Sequence, residues 1–132
     1  MKKKIVSLLV CILLLTACDG SGYKTIDSNV AMELINNDAI VIDVRESNEY
    51  DTGHIEGSIN IPVSNISSIN YDKDTNIILY CASGMRSANA AKELINLGYT
   101  NVYNLDGGLI NWGFDLVLDD NVNMDDELLL DD

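Results

Sequence analysis

The stretch YCASGMRSANAAKEL, Tyr80 to Leu94, holds the side chains best suited to chemistry: Cys81 and, after a gap of four residues, Arg86. A thiol becomes a nucleophile as its thiolate, and a nearby arginine supplies fixed positive charge where an anionic substrate would arrive. Cys81 closes an apolar run and Arg86 opens a helical pattern, so ASGM between them is a strand-to-helix loop. Ligands of open α/β sheets bind at such places, beyond the carboxyl ends of strands. Gly84 permits a positive φ, and the small Ala82 and Ser83 let the backbone curl. If the loop wraps round the sulfur, backbone N–H groups from Ala82 to Arg86 point at it, and the helix N-terminus adds its partial positive charge. Such surroundings bring a free cysteine from about 8.5 down to roughly 3.5 to 7.5. Met85 is expected to line the mouth of the loop and Ser83 to offer substrate a hydrogen bond. The competing reading is a buried, inert core thiol, and composition does not choose between the two.

The elements that must hold this loop are legible as alternating strands and helices. Ile26 marks a short strand, and Asp27 or Ser28 caps a helix reaching about Asn36, with Val30, Leu34 and Ile35 on its apolar side. Ala39 to Val44 and Thr75 to Cys81 are continuous apolar runs, as expected of strands buried on both faces. Between them Ser47 caps a short helix stopped by Gly53, and Ser58 to Pro62 is a brief strand cut off by the chain's one proline. Arg86 to Leu97 is a helix ended by Gly98, Val102 to Leu105 a strand, and Gly108 to Trp112 a short last helix. The pattern predicts an α/β fold of three layers, a mainly parallel central sheet with helices on both faces.

A chain of 132 residues is long enough for one domain with a real core and too short for two. Its net charge of −13, from 21 acidic against 8 basic residues, argues against nucleic acid as a partner. Residues 118–132 hold 7 of those acidic residues and no clear periodicity, so they are expected to form a solvated tail. At the other end Lys2, Lys3 and Lys4 precede the apolar run Ile5 to Leu15, which at 11 residues is too short for a bilayer core needing about 20. It reads as a secretory signal, and LLTAC, Leu14 to Cys18, resembles a bacterial lipoprotein signal. That resemblance implies cleavage after Ala17 and acylation of Cys18, as with palmitate, leaving 18–23 as a lipidated linker. The protein would then sit on the extracytoplasmic face of the cell membrane. An ordinary signal peptide or a short uncleaved anchor are the alternatives. With Cys11 removed and Cys18 acylated, Cys81 is the one thiol left, without an intramolecular partner in a compartment where cysteines usually pair.

Four blocks in order carry a second resemblance: DVRESNEY (Asp43 to Tyr50), GHIEGSINIP (Gly53 to Pro62), YCASGMRSANAAKEL, and LDGGLINW (Leu105 to Trp112). Over residues 24–117 the chain is similar to a single rhodanese domain. The resemblance implies a sulfurtransferase in which Cys81 attacks the outer sulfur of a donor such as thiosulfate, releases sulfite, and passes the sulfur from a persulfide to a thiol or other nucleophile. Cys81 and Arg86 would be catalytic, with Ala82, Ser83, Gly84 and Met85 forming the substrate loop. Neither a metal nor an organic cofactor is implied. The expected partners are small sulfur-containing anions and thiol or protein acceptors, and the expected state is a monomer.

His54, the one histidine, is a candidate base, but GHI in rhodanese domains mainly shapes the fold. Asp43 and Arg45 are expected to form a structural ion pair or turn contact, and Gly107, Gly108 and Trp112 to serve turn and packing. Rhodanese-like relatives that act as phosphatases or arsenate reductases resemble C-x5-R, a longer loop than the four residues here. A non-catalytic sulfur carrier or interaction module is the other alternative, against which Cys81, Gly84 and Arg86 all argue.

Overall fold

The computed structural model describes residues 22–119; the expected signal, the expected lipidation at Cys18 and the segment from residue 120 onward lie outside the described residues. Strands β1 (Lys24–Ile26), β2 (Ile40–Asp43), β3 (Ile59–Asn60), β4 (Ile77–Tyr80) and β5 (Val102–Leu105) form one sheet in the order β1-β5-β4-β2-β3. Each pairing between them is parallel, as the intervening helices require. Thus β4 is central, and the segments following β2 and β5 emerge on either side of the one following β4.

Side chains alternate along β4, so it feeds two cores. Ile77 and Leu79, followed by Cys81, pack with Ala90, Ala91 and Leu94 of helix α3 (Met85–Asn96). Ile78 and Tyr80 pack on the opposite face with Ala31 of helix α1 (Ser28–Asn36) and with Ile55. All four β4 residues are buried, which is why its sequence reads as an unbroken apolar run. The same alternation sends the Cys81 side chain toward the α3 face.

Asp27 caps α1 as expected, its carboxylate accepting from the Val30 N–H at 2.9 Å. Val30 itself is 41% exposed, and Ala31 is the residue that fits against the sheet. Helix α2 (Ser47–Asp51) corrects another expectation: Glu46, rather than Ser47, is the cap. Glu49 reaches back to accept from the Glu46 N–H at 2.9 Å, which places Ser47 inside the first turn. A 3-10 helix, Val63–Ser68, follows Pro62 unannounced and buries Ile66 beneath the α3 face. The last predicted helix is a 3-10 turn, Gly108–Asn111.

Past Trp112 the chain folds back and Val117 pairs with His54 in an antiparallel bridge. Asp119, exposed and within the segment expected to form the tail, approaches His54 Nε2 at 3.2 Å. Among the described residues no helix is long and apolar enough to cross a membrane.

Candidate active site

Cys81 is the residue directly after β4, 1% exposed and unpaired. Helix α3 starts at Met85, one residue earlier than its periodicity suggested, with Gly84 as its cap at φ 98°. No side chain caps this end, so the amides that open the helix are left to face the sulfur. The Gly84 N–H donates to Cys81 Sγ at 3.0 Å, and the Ser87 hydroxyl lies 3.5 Å from it.

Carbonyls of the loop are held from outside. Leu109 N–H donates to the Cys81 carbonyl at 3.0 Å and Ile110 N–H to the Ala82 carbonyl at 3.2 Å. In a trans peptide the carbonyl and the next N–H point opposite ways, so anchoring the Ala82 oxygen outward turns the Ser83 N–H inward. The 3-10 turn after β5 therefore shapes the loop. Asn104 of β5 braces it from within, donating from Nδ2 to the Gly84 carbonyl at 3.2 Å and accepting from the Ser87 hydroxyl at 2.5 Å.

Burial pushes the Cys81 thiol up, but hydrogen bonds from the Ser87 hydroxyl and from the Ser87, Gly84 and Ser83 amides outweigh it. The net shift is below the ordinary thiol value, toward thiolate. The Ser87 hydroxyl has a single proton, and at the distances quoted Asn104 holds it while the sulfur stands within its reach. Of the amides expected round the sulfur, Ser83 and Gly84 lie within the anticipated span, and Ser87 lies one residue beyond it.

Arg86 does not stand free. Its Nη1 and Nη2 donate to the two oxygens of Glu49 at 2.7 and 3.0 Å, with the side chains 40% and 33% exposed. The Arg86 guanidinium, together with the Glu46 amide, holds the Glu49 carboxyl down at about 2. Glu49 in turn raises Arg86, and the Cys81 sulfur adds to that shift. Ser83 and Met85 are exposed, Met85 to 76%, and Ala82 is half-buried.

Sequence reasoning missed Glu49, Ser87 and Asn104. Only Ser87 carried a local signal, as the hydroxyl one place beyond Arg86 in the helix's first turn. Asp43 and Arg45 form the expected structural pair: Arg45 Nη2 donates to Asp43 Oδ2 at 2.6 Å and to the Gly53 carbonyl at 2.7 Å, both residues buried. His54 is also placed as a fold element, with Nδ1 3.0 Å from the Tyr50 carbonyl and its ring stacked on Tyr50. A cavity of about 410 Å³ on the α1 face is lined by Met32, Ile35, Ile55 and Trp112 among others and by no residue of the Cys81 loop. Among the described residues no group of His, Cys, Asp and Glu is arranged to hold a metal ion.

The sequence profile of the rhodanese-like domain matches residues 28–114. Protein YqhL of Bacillus subtilis (strain 168) is 46% identical over 79 residues, covering 57% of this chain and 61% of that protein. The thiosulfate sulfurtransferase GlpE of Pseudoalteromonas translucida is 38% identical over 94 residues, covering 69% of this chain and 90% of its own. A rhodanese-related protein of Thermoplasma volcanium, known from its crystal structure, superposes with a TM-score of 0.65 at 36% identity, over 73% of this chain and 99% of that one.

Proposed function

The chain belongs to the rhodanese-like domain family, and on that premise we propose that it is a sulfurtransferase carrying sulfane sulfur as a persulfide on Cys81. One observation carries the reading: a single buried sulfur at the end of the central strand, met by the Ser83, Gly84 and Ser87 amides and biased toward thiolate. The thiolate attacks the outer sulfur of thiosulfate, the donor's S–S bond breaks, and its electron pair leaves on sulfite. The transferred sulfur then takes the place of the thiolate as the anion those amides stabilise. Attack by a thiol or cyanide on the outer persulfide sulfur releases the Cys81 thiolate and closes the cycle. The likeness to GlpE, whose name records thiosulfate sulfurtransfer, supports the same reading.

Reduced protein exposed briefly to thiosulfate should gain one sulfur atom by intact mass, placed on Cys81 by peptide mapping and discharged by cyanide. Aryl phosphates should be turned over barely or not at all, because a four-residue loop leaves little room for a phosphoryl group. Folded, reduced protein that acquires no persulfide from any sulfane donor would sink the reading in favour of a binding module.

Membrane attachment through Cys18 is part of the proposal, supported by LLTAC behind a cationic, apolar start. In carbonate-washed fractions the wild type should pellet with membranes and Cys18→Ser should not; equal retention of both would remove the lipid anchor.

A further inference from the structure

Arg86 would draw any anionic donor toward Cys81 if its charge were free, but both terminal nitrogens are occupied by Glu49. Glu49 is itself fixed from behind, because the oxygen that accepts from Arg86 Nη1 also accepts from the Glu46 N–H at 2.9 Å. The carboxyl titrates at about 2, so the pair does not open by protonation near neutrality. Two opposite charges 2.7 Å apart nearly cancel for a third charge approaching from solvent, and what remains is the field of a chain carrying −13.

The segments that form and hold the loop also carry exposed apolar side chains. Met85 and Ile110, each 76% exposed, are the most exposed large apolar side chains among the described residues. Met85 directly follows the Gly84 cap, and Ile110 is tied to the loop through its N–H on the Ala82 carbonyl. Both segments adjoin the loop that holds the sulfur, and exposed apolar side chains on them suit a donor that brings carbon with it.

We propose that Glu49 is a positioning residue that sets donor specificity: by occupying Arg86 it makes Cys81 take sulfur preferentially from monoanionic sulfane donors bearing an apolar group, over dianionic thiosulfate. The proposal rests on the sulfurtransferase reading. For a thiosulfonate, R–SO2–S⁻, the Cys81 thiolate bonds to the terminal sulfur and the S–S bond breaks. Its electron pair leaves on the sulfinate R–SO2⁻, and the transferred sulfur remains as the persulfide anion Cys81–S–S⁻, so that charge balances without a proton. An organic persulfide anion R–S–S⁻ reacts alike, leaving as the thiolate R–S⁻. Neither reaction needs an external oxidant or reductant.

The test compares benzenethiosulfonate with thiosulfate on the full chain, with cyanide as acceptor. Wild type should favour benzenethiosulfonate in kcat/KM by roughly tenfold, one charge's worth of repulsion plus the apolar contact. Glu49→Gln keeps an acceptor for the Glu46 N–H but removes the charge. It should narrow the preference about three- to tenfold through a lower KM for thiosulfate, with kcat little moved, and Glu49→Asp should restore most of the wild-type ratio. A readout needing no variant is salt: raising sodium chloride from about 20 to about 300 mM should lower the wild-type KM for thiosulfate, because it screens a net repulsion.

A wild type that prefers thiosulfate, a KM that rises with salt, or a Glu49→Gln ratio within about twofold of wild type would overturn this inference while leaving sulfur transfer standing. Loading from neither donor would overturn the sulfurtransferase reading and the inference with it.

Discussion

Cys81→Ser should take up no sulfur from any sulfane donor and should keep its fold. The hydroxyl replaces a sulfur that is 1% exposed, and it inherits hydrogen-bonding partners from the Gly84 amide and the Ser87 side chain. Its burial therefore leaves no group unsatisfied, and the stability change should stay within about 1 to 1.5 kcal/mol. Chemistry fails because an alcohol does not ionise near neutral pH, and the loop's amides then have no anion to stabilise.

A pH signature accompanies the loss. The folded-state thiol is shifted below its ordinary value, so it binds fewer protons than the unfolded chain between the two values. The associated stability is fully present above the ordinary thiol range and is lost as pH falls through the lowered one. The stability gap between wild type and Cys81→Ser should therefore widen as pH rises through that window, and wild-type loading should level off below the pH of about 8.5 expected of a free thiol. Chemical denaturation of both proteins across the window, with sulfur loading followed in parallel, measures this. A Cys81→Ser protein that still acquires a discharged sulfur, or a gap that narrows with rising pH, would contradict the thiolate assignment.

The Cys81 loop was readable because each of its signals is local: an apolar run that stops, a glycine with freedom of φ, and a helical period that begins. Asp27 as a cap was readable for the same reason. What escaped was set by topology. Glu49 lies 37 residues from Arg86 and meets it because β2 and β4 are neighbours, with Asp43 opposite Tyr80, so their following segments leave the sheet side by side. Asn104 reaches the loop because β5 pairs on the other side of β4, with Asn104 opposite Leu79. Neither neighbour can be seen in a one-dimensional pattern, and the four-residue gap from Cys81 to Arg86 showed a cation without showing its counter-ion. The 3-10 helix Val63–Ser68 escaped differently, since six residues of mixed polarity carry too little periodicity to stand out.

Gly108→Ala should dismantle the loop although none of the loop's own residues is replaced. Gly108 follows Gly107 just past β5, both at positive φ, and a Cβ on it would lie 2.3 Å from the Cys81 carbonyl oxygen and 2.8 Å from the Ala82 carbonyl carbon and oxygen. These are backbone atoms, and the Cys81 and Ala82 carbonyls are the ones that Leu109 and Ile110 hold, so relief comes only by moving the loop or the turn. Either movement releases the carbonyls and with them the inward set of the amides. Gly57→Ala separates this collision from the cost of the φ alone, because Gly57 has φ 78° and nothing within 4 Å of its would-be Cβ. That variant should lose about 1 to 2 kcal/mol and keep sulfur transfer. Gly108→Ala should lose about 3 kcal/mol or more, with at least a tenfold slower loading of Cys81 and an alkylation profile moved to higher pH as the amides turn away. Denaturant titration together with alkylation of Cys81 against pH reads both effects. Equal stability losses in the two variants, or a Gly108→Ala thiol that titrates like wild type, would mean that the turn after β5 does not shape the sulfur site.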